Sequence, residues 1–304
     1  MAGPSVGGKH FIQGAIAQDL HTDGRKRLVY RPISVETGVI PQANGSARVR
    51  TGTTDVIASV KRNFLLIFPS NHHWQAELGK PYLLQPGKGR VIINVDCSPA
   101  EASVFKGRGG KELSTELSIA LQRCLLGSTI GTSTTISNSA APQRCLLGSK
   151  SGTGVGIDCS SLMIAEGKLC WELYVDGLVV SSDGNLLDAL GAAIKAALNN
   201  TCIPKVYITT AASADDEKPE IDISDEEFLQ FDTSGIPVIV TLTKVGSHFI
   251  VDATSEEESQ MSLAVSISIN RNGHICGLTK QGGAGLDHRV ILDIISLAKH
   301  VSEQ

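Results

Sequence analysis

Aromatic residues make up only 4% of the 304-residue chain, and no apolar run approaches the roughly 18 residues that a membrane-spanning helix needs. The sequence therefore excludes an integral membrane protein with helical spans. The first twenty residues lack the basic-then-apolar order of a secretory signal, so none is expected there. Disorder over most of the chain is also excluded, because 41% of the residues are hydrophobic and can form a sizeable core.

Signals of metal or cofactor chemistry are weak. Seven cysteines, an odd number without regular spacing, favour reduced thiols in the cytosol or nucleus over a disulfide framework. His72 and His73 are adjacent and their side chains diverge, while Cys159 and Cys170 lack the paired short spacing of a zinc site. The glycine-rich segment at 282–285 matches neither the P-loop nor the dinucleotide fingerprint, so a plain turn is favoured over an anion cradle. No metal and no cofactor are predicted.

Nucleophilic and carboxylate signatures are equally poor. There is no G-x-S-x-G elbow, and Ser46 has no histidine near it in sequence. The acidic triplet Glu256–Glu258 could hold Mg²⁺ or act in acid–base chemistry. Three consecutive acids point in different directions, however, so a solvated edge is favoured. The residues alone indicate no convincing active site.

The net charge of −4 conceals an asymmetry along the chain. Residues 1–111 carry 15 Lys+Arg against 7 Asp+Glu, whereas residues 112–304 carry 12 against 24. A chain with a basic part and an acidic part can offer one face to a polyanion and another to a basic partner. The simpler alternative is that both faces are merely solvated.

The hydrophobic pattern predicts strands that alternate with three helices. Segments rich in Val and Ile predict ten strands: Val29–Ile40, Ala47–Thr51, Asp55–Lys61, Val91–Asp96, Leu169–Val180, Ile203–Thr209, Pro237–Lys244, His248–Asp252, Ser262–Asn270 and His274–Thr279. Amphipathic stripes predict helices over Glu112–Leu126, Leu186–Asn199 and Asp287–Val301, the second capped by Asp183-Gly184-Asn185. Runs of strands broken by single helices indicate the α/β class (α+β layered), with two stacked units.

An acidic segment predicts the boundary between these units. Ala211–Asp232 holds nine acids and one lysine, which is typical of an exposed linker, here placed at 211–235. The predicted organisation is an N-terminal arm over 1–28, a first β-rich subdomain over 29–210 and a second over 236–304.

Two stretches look like insertions into the first subdomain. The heptapeptide QRCLLGS occurs at 122–128 and again at 143–149, and the Ser/Thr-rich segment between the copies has no helical or strand period. We interpret residues 129–149 as a disordered insertion after a helix. Residues 62–75 (RNFLLIFPSNHHWQ) interrupt a strand–turn–strand pattern with an apolar burst and Pro69. An alternatively spliced or wrongly assembled transcript would explain both.

Several motifs, taken in order, resemble the RNase PH family over roughly residues 10–303. The motifs are Asp23-Gly24-Arg25 with Arg31-Pro32-Ile33, Asn44–Arg50 with Gly52-Thr53-Thr54, Asn94–Pro99, Gly107–Gly110, Ser182–Ala189 and Val251–Thr254 with its acidic triplet. The resemblance is strongest to the RNase PH-like subunits of the eukaryotic RNA exosome ring that are related to the non-catalytic subunit of the archaeal ring. It implies an RNase PH-like fold of two β-rich subdomains, each with packed helices.

The resemblance also implies that the chain is not an enzyme. Active members hold the attacking phosphate with arginines and hydroxyls, because two anions cannot meet without positive charge, and they use an Asp-x-Asp pair. Here the pair falls on Ser262 and Ala264, and the Gly-Thr-Arg phosphate loop falls on Gly184-Asn185-Leu186. The other altered positions are Ala189, Thr115 and Ile119. No catalytic residue is therefore expected; an active phosphate-dependent 3′-5′ exoribonuclease is the alternative, and an unrelated binding module with an RNase PH-like shape is a third hypothesis.

Binding residues are expected in the basic part of the chain. Lys106, Arg108 and Lys111 form a basic cluster suited to the phosphates of single-stranded RNA, with a solvated basic loop as the alternative. Weaker candidates are Arg25, Arg48 and Arg50. The resemblance implies other RNase PH-like exosome subunits in a hexameric ring, S1/KH cap subunits and single-stranded RNA as partners, and no membrane. It also implies a role in RNA degradation and rRNA processing, and a location in nucleus, nucleolus and cytoplasm.

Overall fold

The computed structural model describes residues 6–66, 89–98, 108–126, 157, 159–165, 169–209, 220–283 and 285–303. The helices are α1 (Val6–Ala17), α2 (Arg108–Leu126), α3 (Leu186–Asn199), α4 (Ser255–Glu258) and α5 (His288–Ser302), with a 3-10 turn at Cys159–Leu162. The strands are β1 (Ile33–Thr37), β2 (Gly45–Thr51), β3 (Thr54–Leu66), β4 (Arg90–Cys97), β5 (Met163–Ala165), β6 (Leu169–Ser181), β7 (Cys202–Thr209), β8 (Glu220–Gln230), β9 (Val238–Val245), β10 (His248–Val251), β11 (Met261–Ile269) and β12 (Ile275–Gln281). This mixed content confirms the predicted α/β class.

A six-stranded sheet forms the first half of the fold. Its strands lie in the order β1-β2-β3-β6-β4, with β5 added to β6, and every pairing is antiparallel except β4 with β6. The helices α2 and α3 pack on one face of this sheet, because their apolar stripes meet the buried valines of β2, β3 and β6. Leu121, Leu190 and Ile194 are fully buried in this core.

A four-stranded antiparallel sheet, in the order β10-β9-β11-β12, forms the second half. Its alternating residues bury Leu242, Val265 and Ile267 against the apolar face of α5. The helix α3 approaches its other side at Gly191, where a Cβ would lie 2.8 Å from the Ile239 side chain. The two helices α2 and α3 therefore lie between the sheets, and this layering places the start of α3 beside the end of β10.

The helix α1 lies in the region that the sequence assigned to an N-terminal arm. Ile12 and Ile16, spaced by one helical turn, are buried with Val245, Ile250 and Ala253 of the second half. Short polar residues and glycines around this pair obscure the helical period of the apolar residues. The predicted arm over 1–28 therefore contains a helix that was not predicted.

Part of the predicted acidic linker, residues 220–230, is a strand. These residues form β8, which pairs with β7 in a two-stranded antiparallel ribbon. Ile221 and Ile223 alternate as in a strand. The five acids within β8, however, are typical of an exposed linker. Pairing with a neighbour, which the local composition does not report, decides the conformation here.

Two other boundaries also differ from prediction. The strand predicted over Val29–Ile40 is reduced to β1, because the backbone of Arg31 is bonded to the second half of the chain and Pro32 has no N–H to donate. The proposed insertion at 62–75 begins inside β3, since residues 62–66 continue that strand opposite β6. The rest of that insertion and the whole of 129–149 lie outside the described residues. Within the part of the chain that is described, no helix is long and apolar enough to cross a membrane.

Candidate functional site at the start of helix α3

The helix α3 begins at a tight turn formed by residues 183–185. Gly184 has a φ of +81°, and a Cβ there would lie 2.3 Å from the Ala253 carbonyl oxygen, so only glycine permits this approach. Asn185 follows in the left-handed region at φ 53° and takes the N-cap position, but its side chain makes no capping hydrogen bond. The predicted cap is therefore only positional. The turn is bound instead to the segment that follows β10.

Asp252, at the end of β10, is the centre of this junction. Its carboxylate accepts hydrogen bonds from Arg31 Nε at 2.9 Å and Arg31 Nη2 at 2.8 Å, and also from the Arg31 backbone N–H at 2.7 Å. Asn185 Nδ2 donates to the same carboxylate at 3.1 Å. Asp252 is fully buried and Arg31 is only 6% exposed, so this bidentate pair lies out of water.

The second arginine at the junction is also used internally. Arg25 Nη1 donates to Asp252 Oδ2 at 3.1 Å, and Arg25 Nε donates to Asp23 Oδ2 at 2.6 Å. Arg31 Nη1 binds the turn as well, donating to the Asp183 carbonyl oxygen at 2.9 Å and contacting its carboxylate at 3.3 Å. Two guanidinium groups therefore face three carboxylates, so both arginine charges are balanced within the chain and one negative charge is left in excess.

The short helix α4 adds a second buried carboxylate. Glu257 accepts hydrogen bonds from the backbone N–H of Thr22 at 2.9 Å and of Thr254 at 3.0 Å, and lies 3.0 Å from His21 Nδ1. Burial alone would raise the pKa of Glu257, but the hydrogen bonds from His21 and from the two N–H groups lower it to about 2. This carboxylate is therefore ionised and saturated by structural partners.

The neighbouring Glu258 has the opposite character. Its Oε1 accepts the backbone N–H of Asn185 at 2.7 Å, so a carboxylate of the chain itself lies at the start of α3. Burial raises the pKa of Glu258 to about 7, because that hydrogen bond and the charge of Arg31 only partly offset the loss of water. The Glu258 carboxylate therefore occupies the position at the start of α3 where an external anion could otherwise bind.

Asp188, in the first turn of α3, is the remaining buried carboxylate of the region. It accepts hydrogen bonds from Tyr30 Oη at 2.8 Å, Thr241 Oγ1 at 2.6 Å and Thr241 N at 2.9 Å. Burial raises the pKa of Asp188 to about 6 in spite of these donors. The side chain ties α3 to β9 and to the segment before β1, so its role in the fold is positional.

The positions expected from the family motif carry no carboxylate pair and no arginine. Ser262 is exposed on β11, where its hydroxyl donates to the Lys244 carbonyl oxygen at 3.3 Å. Ala264, two residues on, pairs with Thr243 on one side and Gln281 on the other. Leu186 is half-buried at the start of α3, and its apolar side chain cannot neutralise a phosphate.

The predicted RNA-binding residues fall in three separate places. Lys106 lies outside the described residues, Arg108 begins α2, and Lys111 is exposed one turn further along that helix. Arg25 belongs to the buried junction. Arg48 and Arg50 share one face of β2, where both contact Asp55 and Arg50 also contacts Glu36 at 3.3 Å. Among the described residues, no contact joins the three places into one surface.

Sequence reasoning did not find the junction itself. Arg31, Asp252 and Asp188 belong to sequence motifs that do not indicate their partners. Arg31 and Asp252 are 221 positions apart, so no local spacing could pair them. The sequence offered one indication: Arg31 lies near the start of one predicted strand, and Asp252 lies at the end of another.

Comparison with models of protein families identifies the family of this chain. A model of the 3′ exoribonuclease family, domain 1, matches residues 29–204, and a model of domain 2 of that family matches residues 235–301. The chain belongs to the 3′ exoribonuclease (RNase PH) family. The two matches correspond to the two halves of the fold, and the acidic ribbon β7–β8 bridges them.

Relatives within this family carry exosome names. The chain is 38% identical to a protein of Dictyostelium discoideum named "Putative exosome complex exonuclease RRP42", with 96% of this chain and 92% of that protein covered. It is 29% identical to the "Exosome complex component Rrp42" of Methanopyrus kandleri, with 97% and 93% covered.

Solved structures of the family share the fold. An Archaeoglobus fulgidus exosome with RNA bound to the active site contains a chain that superposes with a TM-score of 0.69 at 24% identity, covering 97% of this chain and 95% of that chain. An archaeal exosome core gives a TM-score of 0.63 at 24% identity, with coverage of 97% and 93%. These matches confirm the predicted RNase PH-like fold.

Proposed function

We propose that this chain is a structural, RNA-contacting and non-catalytic subunit of an exosome core that acts in 3′-to-5′ RNA processing and degradation. The exosome names of its relatives and the fold of the archaeal exosome cores support the assembly. The partners are other RNase PH-like subunits in a hexameric ring, S1/KH cap subunits and single-stranded RNA. The corresponding locations are the nucleus, nucleolus and cytoplasm.

The observation that carries the non-catalytic part is the state of Arg25 and Arg31, which precede β1 and are bound at the junction beside the start of α3. Arg25 and Arg31 are bound to Asp23, Asp183 and Asp252 of the same chain, so neither guanidinium is available to an incoming phosphate. Two unit charges 4 Å apart interact with an energy of about 4 kcal/mol at an effective dielectric constant near 20. A carboxylate whose charge is not balanced therefore repels a phosphate strongly. Phosphorolysis needs the opposite electrostatic balance.

The decisive assay is release of nucleoside diphosphates from a 3′-labelled RNA by the purified chain in inorganic phosphate. We expect no release above background, and no rescue by Leu186→Arg, because a single arginine lacks its acid–base partners and such groups act as a unit. Robust phosphate-dependent release that Glu258→Gln abolishes would reverse the proposal and favour the active exoribonuclease.

The assembly and RNA parts have their own test. A tagged full-length chain should co-purify with other RNase PH-like subunits, and the assembled ring should bind single-stranded RNA with an affinity that falls steeply with salt. Alanine at Lys106, Arg108 and Lys111 together should weaken that affinity and flatten its salt dependence. Lys299→Ala, a change of an exposed lysine on α5, is the matched control and should leave both unchanged. Equal effects of both changes would contradict a specific RNA contact on α2.

A further inference from the structure

The β7–β8 ribbon exposes apolar side chains on an open strand edge. Within the described residues β8 has one hydrogen-bonded neighbour, β7, so its other edge offers unpaired backbone groups. Phe228 is 52% exposed and Leu229 is 58% exposed, and Ile223 and Tyr207 are 40% and 42% exposed. Adjacent residues of a strand point to opposite faces, so apolar surface is available on both faces of the ribbon.

An ordered bulge presents acidic side chains beside these apolar residues. The register passes from Phe228 opposite Pro204 to Ile223 opposite Val206, which leaves residues 224–227 without partners in the ladder. The Ser224 hydroxyl accepts the N–H groups of Glu226 at 3.3 Å and Glu227 at 3.0 Å. The acids therefore lie on a turn with a defined shape.

The basic side chain of the ribbon is already neutralised. Lys205 Nζ lies 3.0 Å from Glu227 Oε2, and Tyr207 Oη donates to the same oxygen at 2.8 Å. In contrast, Asp222 and Glu226 are exposed and have no ion-pair partner among the described residues. The ribbon thus carries a negative charge that the described residues of the chain do not balance.

Acidic residues on an edge strand protect it from pairing with other chains, and this could account for the charge alone. A protective edge gains nothing from two adjacent large apolar residues that are more than half exposed. The combination of an open edge, exposed Phe228 and Leu229, and unbalanced acids matches a ligand with the complementary features.

We propose that the edge of β8 binds an extended, basic segment of a partner protein, in which Lys or Arg residues alternate with apolar residues. The segment adds a strand to the ribbon through main-chain hydrogen bonds. Its apolar side chains cover Phe228 and Ile223, which share one face of the ribbon, and its basic side chains pair with Glu226 and with Asp222 on the other face. This proposal goes beyond the proposed function and does not depend on the catalytic state of the chain.

The probe is a fluorescein-labelled peptide of twelve residues in which Lys and Val alternate, titrated with the full-length chain and followed by fluorescence anisotropy. Binding should weaken at least tenfold when the salt rises from low to high, and a peptide with Glu in place of every Lys should not bind. Phe228→Asn and Glu226→Lys should each weaken binding at least tenfold. These residues are exposed, so the thermal unfolding of both variants should match the parent chain.

Matched variants elsewhere on the surface provide the control. Leu292→Asn changes an apolar side chain that is 62% exposed on α5, and Glu116→Lys reverses an exposed charge on α2. Neither should alter peptide binding. Equal binding of the Lys and Glu peptides, or binding that the ribbon variants leave unchanged, would overturn the proposal. Self-association of the chain that Phe228→Asn removes would also overturn it, since a second copy would then be the occupant.

Discussion

Asp252 and Arg31 form a buried ion pair whose loss should be costly. Replacing Arg31 by alanine removes the bidentate partner of the fully buried Asp252 carboxylate, which keeps only the single contact with Arg25 Nη1 as an ion pair among the described residues, and removes the bonds to Asp183. Breaking a buried pair by removing one partner typically costs about 3–5 kcal/mol of the free energy of unfolding. We expect a loss of this size for Arg31→Ala in urea-induced unfolding.

Arg50→Ala is the control for this prediction. The Arg50 guanidinium is 42% exposed and its contacts with Glu36 and Asp55 lie at the surface. Exposed ion pairs contribute about 0–1 kcal/mol, so this variant should remain close to the parent chain. A loss for Arg31→Ala no larger than that for Arg50→Ala would show that the junction does not hold the two halves together.

Glu258 should make the stability of the chain depend on pH near neutrality. Its pKa of about 7 in the folded chain lies above the ordinary value of 4.5, so the folded state binds the proton more tightly than the unfolded state. The resulting stabilisation is fully present below pH 4.5 and is lost as the pH rises through 7. The free energy of unfolding should therefore fall between pH 5 and pH 8, with Asp188 adding to the fall because its pKa is raised to about 6.

Glu258→Gln should reduce this pH dependence by about 1–3 kcal/mol, because the amide oxygen can still accept the Asn185 N–H but does not ionise. Chemical unfolding at pH 5 and pH 8 measures the difference. Glu256→Gln changes an exposed acid of the same short helix and should leave the pH dependence unaltered. An identical response of the two variants would contradict the buried titration.

At the scale of elements, the turn before α3 depends on one glycine. In Gly184→Ala the new Cβ would be 2.3 Å from a backbone oxygen in a left-handed conformation, so the turn must move away from Ala253. Gly273→Ala meets the same conformational penalty at φ +74° but has no atom within 4 Å. We expect the Gly184 variant to lose well over the roughly 1–3 kcal/mol of backbone strain alone.

Thermal unfolding of the two alanine variants separates the close approach from the conformational penalty. The Gly273 variant should show a small drop in Tm, and the Gly184 variant should show a drop several times larger. Equal drops would mean that the contact between the turn and Ala253 is easily relaxed.

At the scale of the whole molecule, β1 offers an edge for assembly. Ile33 and Val35 lie opposite Thr51 and the buried Val49 on the core side of the sheet, yet they are 54% and 52% exposed. Ring subunits bury such surfaces against their neighbours. We therefore expect Val35→Glu to reduce co-elution of the chain with other ring subunits in size-exclusion chromatography with light scattering.

The corresponding control is Leu292→Glu on α5, an apolar residue with similar exposure that lies away from a strand edge. It should leave co-elution unchanged. A well-behaved monomer at micromolar concentration, indifferent to both changes and without ring partners, would count against assembly through β1.

Most elements could be predicted from the sequence because their signal is local. The apolar stripe of α3 predicts both of its ends, and the alternation of Leu263, Val265 and Ile267 predicts β11 to within a residue. The extent of β1 and the existence of β8 could not be predicted in this way. Arg31 is drawn away from the sheet by Asp252, and β8 depends on pairing with β7, so distant contacts decide both.

The sequence by itself determined the class of fold and the family resemblance. It also determined that Leu186, Ser262 and Ala264 stand where the resemblance implies catalytic groups, because each of these is a property of residue type and order. The tertiary structure alone decided which charges are available. Arg25 was a candidate for RNA binding in the sequence, and folding places it against Asp23 and Asp252. Charge is fixed by the residue, but its availability depends on partners brought close only when the two halves pack together.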